Sequence, residues 1–108
     1  LCRYARPINL AGKTSICELV EIIRNAEFFI TNDSGPMHIA AAVRTPVFAM
    51  FGPTSPQKTG PYWEWNKVYQ DKNGCVQCFK RACNKDTIEC QTAISGKKVT
   101  ADILKKLY

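Results

Sequence analysis

Residues 14–52 alternate between helix-like and strand-like patterns, and this alternation restricts the fold more than any other feature of the sequence. The apolar spacing in "TSICELVEIIRNAEF" predicts a helix, and "EFFIT" at 27–31 predicts a short strand. A second helix at 37–43 and a second strand at 46–51 follow after connections of a few residues. Both strands are continuously apolar, which predicts burial on both faces. The pattern therefore predicts an α/β fold with a parallel sheet and flanking helices.

The starts of both predicted helices carry recognisable signals. Ser15 and Glu18 form an S-x-x-E capping box, with Thr14 as an alternative cap. Pro36 falls in the first turn of the second helix, where a missing amide costs nothing. The inward stripe predicted for the first helix comprises Ile16, Leu19, Val20, Ile23 and Ala26.

The periodicity fades after Phe51. Three prolines, two glycines and three large aromatic residues at 52–66 predict a loop that packs on itself. The sequence "KVYQ" at 67–70 predicts a short edge strand. A final helix is predicted at 99–108, capped by Thr100. Its predicted inward residues are Ile103, Leu104 and Leu107.

Length and charge limit the class of protein. At 108 residues the chain is one small domain or a piece of a larger one, and without an initiating Met we expect the interior of a longer protein. No apolar run approaches the ~18 residues of a membrane span, and the start lacks the apolar core of a secretory signal.

The net charge of +6 favours anionic partners or reflects an ordinary solvated basic face. Like charges form no block, and RNA-binding or helix-turn-helix patterns are missing, so we expect no nucleic-acid partner.

Two polar turns, "NDSGP" and "GPTSP", directly follow the two predicted strands. In an open parallel sheet, ligands bind beyond the carboxyl ends of the strands, so both turns are predicted to line one edge. Gly35 lets a ligand approach the backbone, and the following helix directs N–H groups and a partial positive charge outward. Ser34 adds a hydroxyl, and the helix dipole favours a neutral, hydrogen-bonding His38. Gly52 and Thr54 offer a second amide and hydroxyl, so the pattern favours a phosphorylated ligand.

Each of these residues also has a purely structural interpretation. Asp33 or Ser34 is explained as an N-cap, and His38 as a structural histidine. "GPTSP" alone is only a rigid turn. Asp33 would repel a phosphate, so we expect it to accept hydrogen bonds from a sugar or to cap the helix. The convergence of Asp, Ser, Gly, Pro and His beside a second such turn favours a binding site.

The stretch from about Ile8 to Tyr62 resembles the C-terminal part of the family 9 glycosyltransferases, the ADP-heptose:lipopolysaccharide heptosyltransferases and their relatives. The resemblance is carried by "AGKTS", "NDSGPMHIAAA" and "FGPTSPQKTGPY", in this order. It implies a GT-B fold, in which two Rossmann-like domains face each other and the C-terminal one binds the nucleotide-sugar donor. We accordingly divide the chain into a partial Rossmann-like core at 1–70, a cysteine-rich segment at 71–98 and a C-terminal helix at 99–108.

The resemblance also implies roles for individual residues. Asp33 would contact donor sugar hydroxyls, and the backbone from Gly35 to His38 would lie against the diphosphate. Lys13 and Thr14 would border the nucleoside, while Gly52 to Thr54 would close the pocket. The donor-binding residues so assigned are Lys13, Thr14, Asp33, Ser34, Gly35, Pro36, Met37, His38, Gly52, Pro53 and Thr54.

The implied reaction is transfer of heptose from ADP-heptose to the inner core of lipopolysaccharide, usually with inversion and with no required cofactor. The catalytic base would belong to an N-terminal domain outside this chain, so the isolated chain is expected to be inactive. The resemblance implies a cytoplasmic location at the inner face of the inner membrane, with peripheral membrane association of the parent. The alternatives are a stand-alone nucleotide- or anion-binding module and a small zinc-dependent interaction domain.

Four of the six cysteines are concentrated near the C-terminus, in a C-x2-C-x4-C-x6-C pattern formed by Cys75, Cys78, Cys83 and Cys90. Four thiolates at this spacing suit a structural tetrahedral Zn²⁺ site. The spacing leaves open two disulfides, a redox pair, an iron–sulfur cluster and free thiols. One local cluster, rather than evenly spread cysteines, favours a reduced cytosolic chain. The segment "CVQCFKRAC" also resembles the tail of many family 9 members.

Overall fold

The computed structural model describes residues 6–71, 78–83 and 89–108. This part of the chain is an α/β structure, as the sequence predicts. Its elements, in chain order, are α1 (Ile16–Arg24), β1 (Phe29–Asn32), α2 (Gly35–Ala42), β2 (Val47–Met50), α3 (Pro56–Thr59), β3 (Lys67–Tyr69), α4 (Glu89–Thr92) and α5 (Gly96–Leu107).

The described strands form one parallel sheet in the order β1-β2-β3. Asn32 at the end of β1 lies opposite Met50 at the end of β2, which in turn lies opposite Tyr69 of β3. Helix α2 connects β1 to the parallel strand β2 and therefore runs against both. The carboxyl ends of β1 and β2 and the start of α2 consequently meet at one edge, as predicted for the two polar turns.

Helix α1 begins at the predicted capping box. The Glu18 amide donates to Ser15 Oγ at 3.2 Å, and the Ser15 amide donates to Glu18 Oε1 at 3.1 Å. The predicted inward stripe is only partly right, because Ile23 is fully buried whereas Ile16 is 75% exposed. No described element covers the first turn of α1, so Ile16 is exposed to solvent. Helical spacing alone predicts that it is buried.

Burial confirms the prediction for β2 but not for β1. Val47, Phe48 and Ala49 are buried, so β2 is covered on both faces. In β1 the residues alternate between half-buried and exposed, and Ile30 is 48% exposed. Within the described residues β1 pairs only with β2, and the helix on Ile30's face covers the other two strands instead.

Two apolar clusters lie on opposite faces of the sheet. Helices α1 and α2 cover one face, where the buried residues are Ile23, Met37, Ala40, Val47, Ala49 and Phe51. Helix α5 covers the other face, where the buried residues are Phe48, Tyr69, Val99 and Ile103. Neighbouring residues of β2 thus pack in opposite clusters, because side chains along a strand point alternately to its two faces.

Helix α5 starts three residues earlier than predicted, at Gly96, and its N-cap is Ser95 rather than Thr100. The Ser95 hydroxyl accepts a hydrogen bond from the Lys98 amide at 3.4 Å. Ile103 is buried as predicted, but Leu104 and Leu107 are 50% and 36% exposed. Val99 and Ile103, one turn apart, face the sheet, so Leu104 is rotated away from it.

A polar contact fixes α5 to β3. The Tyr69 hydroxyl donates to Asp102 Oδ2 at 2.9 Å, and Lys67 Nζ lies 3.2 Å from Asp102 Oδ1. Burial and the hydrogen bond to Asp102 raise the pKa of Tyr69. The hydrogen bond from Tyr69, together with Lys67, lowers the pKa of Asp102. Asp102 is therefore a stabilising carboxylate in the folded chain.

We expect Asp102→Asn to destabilise the chain in a pH-dependent way. A carboxylate with a lowered pKa stabilises the fold fully above its ordinary pKa of 3.8, and this contribution disappears as the pH falls through the folded-state value. The difference in unfolding free energy between wild type and variant should thus be present at neutral pH and shrink on acidification. Urea unfolding across this range measures it, with the exposed Glu27→Gln as a control. A difference that does not change with pH would contradict the prediction.

Candidate functional site

A cleft of about 480 Å³ opens at the carboxyl edge of the sheet. Residues that end β1 and β2, together with the turns that follow, form most of its wall. The cleft is lined by Asn32, Asp33, Met50, Phe51, Gly52, Pro53, Thr54 and Ile94. Its volume lies in the range of small-molecule sites, about 300–1,000 Å³. The two turns singled out in the sequence therefore share one concave surface.

Hydrogen bonds from β3's end and from the cysteine-rich segment hold the second turn in place. Gln70 Nε2 donates to the carbonyl oxygens of Gly52 and Thr54, at 3.1 and 2.9 Å. The Phe79 amide donates to the Pro53 carbonyl at 2.7 Å. Lys58 Nζ lies 5.6 Å from the centre of the Phe79 ring. Three consecutive carbonyls of the turn are thus held by two donor groups, the Gln70 side-chain amide and the Phe79 main-chain amide, which keeps this wall of the cleft rigid.

Asp33 links the first turn to α3, the short helix that follows the second turn. Its carboxylate accepts a hydrogen bond from Thr59 Oγ1 at 3.1 Å, at the end of α3. Ser34 is the N-cap of α2, but its side chain makes no capping hydrogen bond, and its hydroxyl lies 3.1 Å from Thr31 Oγ1. The structural interpretation of Ser34 as a side-chain cap is therefore not supported. Asp33 retains further acceptor capacity, because a carboxylate accepts several hydrogen bonds.

Thr54 carries a hydroxyl that lacks a partner among the described residues. Its Oγ1 is buried and makes no hydrogen bond there, although Thr54 lines the cleft. A buried hydroxyl without a partner costs about 1–3 kcal/mol. This atom is the clearest sign that the cleft wall is completed by something other than the described residues.

The remaining predicted residues lie outside the cleft lining. Lys13 is exposed and Thr14 half-buried at the start of α1, after a turn in which Gly12 has φ of 70°. His38 is exposed on α2, and a Cβ on Gly35 would meet nothing within 4 Å. Met37 is fully buried in the core, so its side chain is not available to a ligand.

Some residues of the site have little or no sequence signal. Asn32 is the first residue of the "NDSGP" turn, but the sequence assigns it no role of its own. Ile94, which also lines the cleft, follows a segment without periodicity. Gln70 lies at the end of the predicted strand 67–70, but nothing in the sequence marks its side chain as the support of another loop.

A second cleft, of about 500 Å³, lies beside the first and shares Ile94 with it. It opens beyond the end of β3, against the start of α5. Its lining comprises Val68, Tyr69, Gln70, Asp71, Ala93, Ile94, Ser95 and Lys98. The carboxyl edge thus offers two adjoining concave surfaces, one of them beside a lysine.

The predicted four-cysteine site is not assembled in the described part of the chain. Cys78 and Cys83 are exposed and Cys90 is half-buried, while Cys75 lies outside the described residues. Among residues 6–71, 78–83 and 89–108, no three His, Cys, Asp or Glu side chains are grouped so as to hold a metal ion. In the same residues, no helix has the length and apolar character needed to cross a membrane.

Comparison with known proteins points to one family. The model of glycosyltransferase family 9 (heptosyltransferase) matches residues 1–89. Lipooligosaccharide heptosyltransferase 2 of Campylobacter jejuni (serotype O:6) is 36% identical over 98 residues, covering 90% of this chain and 31% of that protein. The protein of the same name from Haemophilus influenzae is 59% identical over 54 residues, covering 50% of this chain and 16% of that protein. The chain spans less than a third of the length of these relatives.

Solved structures agree with the sequence relatives. Escherichia coli ADP-heptose lipopolysaccharide heptosyltransferase II matches with a TM-score of 0.62 and 30% identity, covering 93% of this chain and 28% of that one. TibC, an iron-containing dodecameric glycosyltransferase of enterotoxigenic E. coli, matches with a TM-score of 0.69 and 28% identity, covering 86% and 29%. Another TibC structure, in complex with ADP-D-beta-D-heptose, matches with a TM-score of 0.65, 28% identity and coverage of 82% and 27%.

We expect Gln70→Glu, an isosteric change, to loosen the second turn. The glutamate lacks the two N–H donors and sets a carboxylate against the carbonyls of Gly52 and Thr54. The expected loss in unfolding free energy is about 1–3 kcal/mol at neutral pH. Part of it should return on acidification, because a protonated glutamate regains one donor. Urea unfolding at both pH values tests this, and equal stability of variant and wild type at neutral pH would disprove it.

Proposed function

The chain belongs to glycosyltransferase family 9, and we propose that it binds the nucleotide-sugar donor, ADP-heptose, for transfer of heptose to the lipopolysaccharide core. The observation that carries this proposal is the cleft formed by the two motif turns. The names of the relatives and the ADP-heptose complex of TibC support it. Because the chain spans less than a third of its relatives, transfer itself is proposed for a full-length family member, in which this chain supplies donor binding.

The groups around the cleft suit a diphosphate that leaves with negative charge. In heptosyl transfer the acceptor hydroxyl attacks the anomeric carbon and gives up its proton to a base, the bond from this carbon to the diphosphate oxygen breaks, and ADP departs. The start of α2 carries a partial positive charge that stabilises such an anion. Gly35 leaves open space above the backbone there, so a phosphate can approach closely. We assign no catalytic base among the described residues.

The sugar is proposed to lie against Asp33 and Thr54. The Asp33 carboxylate accepts hydrogen bonds from sugar hydroxyls in addition to the one from Thr59. The Thr54 hydroxyl is buried and unpartnered among the described residues, and it would gain a partner from the ligand by rotating toward the cleft. Lys13 and Thr14, at the start of α1, border the nucleoside in this proposal. The adjoining second cleft gives additional room for a ligand as long as a nucleotide sugar.

We propose a cytoplasmic location at the inner face of the inner membrane, where an enzyme acting on the lipopolysaccharide core meets its acceptor. The net charge of +6 is consistent with contact to an anionic lipid surface. The alternative is a module that binds nucleotides or anions and transfers no sugar. Such a module should bind ADP and ADP-heptose equally well.

We expect Thr54→Val to affect stability and ligand binding in opposite directions. Removing an unpartnered buried hydroxyl should leave the fold as stable or more stable. If this hydroxyl bonds the donor, the affinity for ADP-heptose should fall by about threefold to tenfold, the usual worth of one neutral hydrogen bond. Isothermal titration and urea unfolding of the same preparations measure both effects.

The matched control is Thr100→Val, which makes the same chemical change on the exposed side of α5. Gly35→Val should abolish binding with little loss of stability, because a Cβ there meets nothing within 4 Å, whereas Ala101→Val, on the exposed side of α5, should leave binding unchanged. Equal affinity for ADP and ADP-heptose would favour the nucleotide-binding module. A folded chain that binds neither compound would refute the proposed donor site.

We propose separately that Cys75, Cys78, Cys83 and Cys90 bind a structural metal ion. Their spacing supports this, and the matched glycosyltransferase TibC contains iron. The structure describes three of these cysteines and groups no three metal-binding side chains among its described residues, and the proposed site also needs Cys75, which lies outside them. Coupling between metal binding and local folding is common in small cysteine sites.

We expect the purified chain to contain a stoichiometric amount of zinc or iron by elemental analysis. Cys83→Ser should lower the metal content severalfold, whereas Cys17→Ser, an exposed cysteine on α1, should not. Absence of metal from a chain purified without chelator and refolded with either ion would rule this site out.

A further inference from the structure

The Asp33 carboxylate is held by a single side chain from another element. Its Oδ2 accepts a hydrogen bond from Thr59 Oγ1 at 3.1 Å, and the two residues are 26 positions apart in the sequence. Asp33 stands one residue before Ser34, the N-cap of α2, and is half-buried in the wall of the cleft. Among the residues that the structure describes, no other group donates to this carboxylate and no cation pairs with it. Thr59 therefore sets the orientation of the carboxylate, and Oδ1 keeps its full capacity as an acceptor.

The Thr59 hydroxyl is in turn fixed by its own helix. Its Oγ1 also lies 3.1 Å from the Ser55 carbonyl oxygen, four residues earlier in the chain. A helical threonine makes this bond to the preceding turn in one of its two usual rotamers. Because a hydroxyl has one proton, Asp33 and Ser55 share it. The bond to Ser55 thus holds Thr59 Oγ1 next to the carboxylate.

Other contacts hold α3 in place without the help of Asp33. The Gly60 amide donates to the Pro56 carbonyl at 2.8 Å and closes the helix. A Cβ on Gly60 would collide with the oxygen of that carbonyl, so the close approach requires glycine. Lys58 Nζ lies 5.6 Å from the centre of the Phe79 ring, which adds a contact on the side of the cysteine-rich segment. The bond from Thr59 to Asp33 is therefore not needed to fix α3, and its main effect is on the carboxylate.

We propose that Thr59 is a positioning residue for sugar recognition: it orients the Asp33 carboxylate so that Oδ1 accepts a hydrogen bond from a hydroxyl of the heptose. This inference rests on the proposed function of the cleft and deepens it, since it assigns the preference for a nucleotide sugar over the bare nucleotide to one pair of side chains. A carboxylate that is already held by one oxygen loses less conformational entropy when the ligand binds. Asp33 faces the heptose and not the ADP in the proposed complex, so this gain applies only to the ligand that carries the sugar.

Two other roles for Thr59 lead to different expectations. If its bond merely ties two loops together, its loss would loosen both walls of the cleft and weaken the binding of ADP and ADP-heptose by similar factors. If Thr59 contacted the ligand directly, its effect would persist in the absence of Asp33. Thr59 is not among the described residues that line the cleft, which favours action through Asp33.

Isothermal titration of Thr59→Val with ADP-heptose and with ADP tests the proposal. Valine has nearly the shape of threonine but lacks the hydroxyl. We expect the affinity for ADP-heptose to fall by about threefold to tenfold, the usual worth of one hydrogen bond, and the affinity for ADP to stay the same. Thr59→Ser keeps the hydroxyl and should retain the preference of wild type for ADP-heptose. The matched control is Thr100→Val, which removes an exposed hydroxyl from α5 and should change neither affinity.

The decisive comparison repeats Thr59→Val in a chain that already carries Asp33→Ala. Because Thr59 acts through Asp33 in this proposal, its replacement should have no further effect on the affinity for ADP-heptose there. The double-mutant cycle measures this non-additivity directly, and urea unfolding of each variant verifies that it is folded. Equal losses in both backgrounds would overturn the proposal, and so would a loss that affects ADP and ADP-heptose alike.

Failure of the proposed function gives a different result from failure of this inference. A wild-type chain that binds ADP-heptose no better than ADP would refute the sugar site itself, and the role of Thr59 with it. A wild-type chain that prefers ADP-heptose, together with a Thr59→Val variant of the same preference, would overturn the role of Thr59 alone.

Discussion

The parallel register between β1 and β2 is the constraint on which the rest of the structure depends. It places Asn32 opposite Met50, so the turns that leave both strands emerge side by side. A shift of one residue would turn Val47 and Ala49 to the other face and remove the cover on which α1 and α2 pack. Burial of β2 on both faces enforces the register, and the register in turn forms the cleft.

The elements with local signals were predictable from the sequence. The capping box of Ser15 and Glu18 fixes where α1 begins, and the apolar run at 46–51 identifies the central strand. The site residues with a motif, Asp33 and Gly52–Thr54, also line the cleft where they were expected. In each case the residues that determine the local structure lie within one short stretch. The prediction therefore needs no information about distant residues.

The errors arise where distant packing decides. Ile16 and Ile30 have the right spacing for burial but lie where no described element covers them. The predicted start of α5 is three residues late, because Ser95 rather than Thr100 caps the helix and the first turn tolerates Gly96. Gln70 supports the cleft from another strand, through bonds that no sequence pattern encodes. Local chemistry thus specified the elements, and tertiary contacts specified which faces they bury.

Helix α5 connects the cleft edge of the sheet to the opposite edge. Its twelve residues extend about 18 Å at 1.5 Å per residue. Ser95 and Lys98 at its start line the second cleft, and Lys106 near its end donates to the Trp65 carbonyl. The Tyr69–Asp102 contact fixes the helix between these points. One rigid element therefore spans the sheet from the cleft edge to the opposite edge.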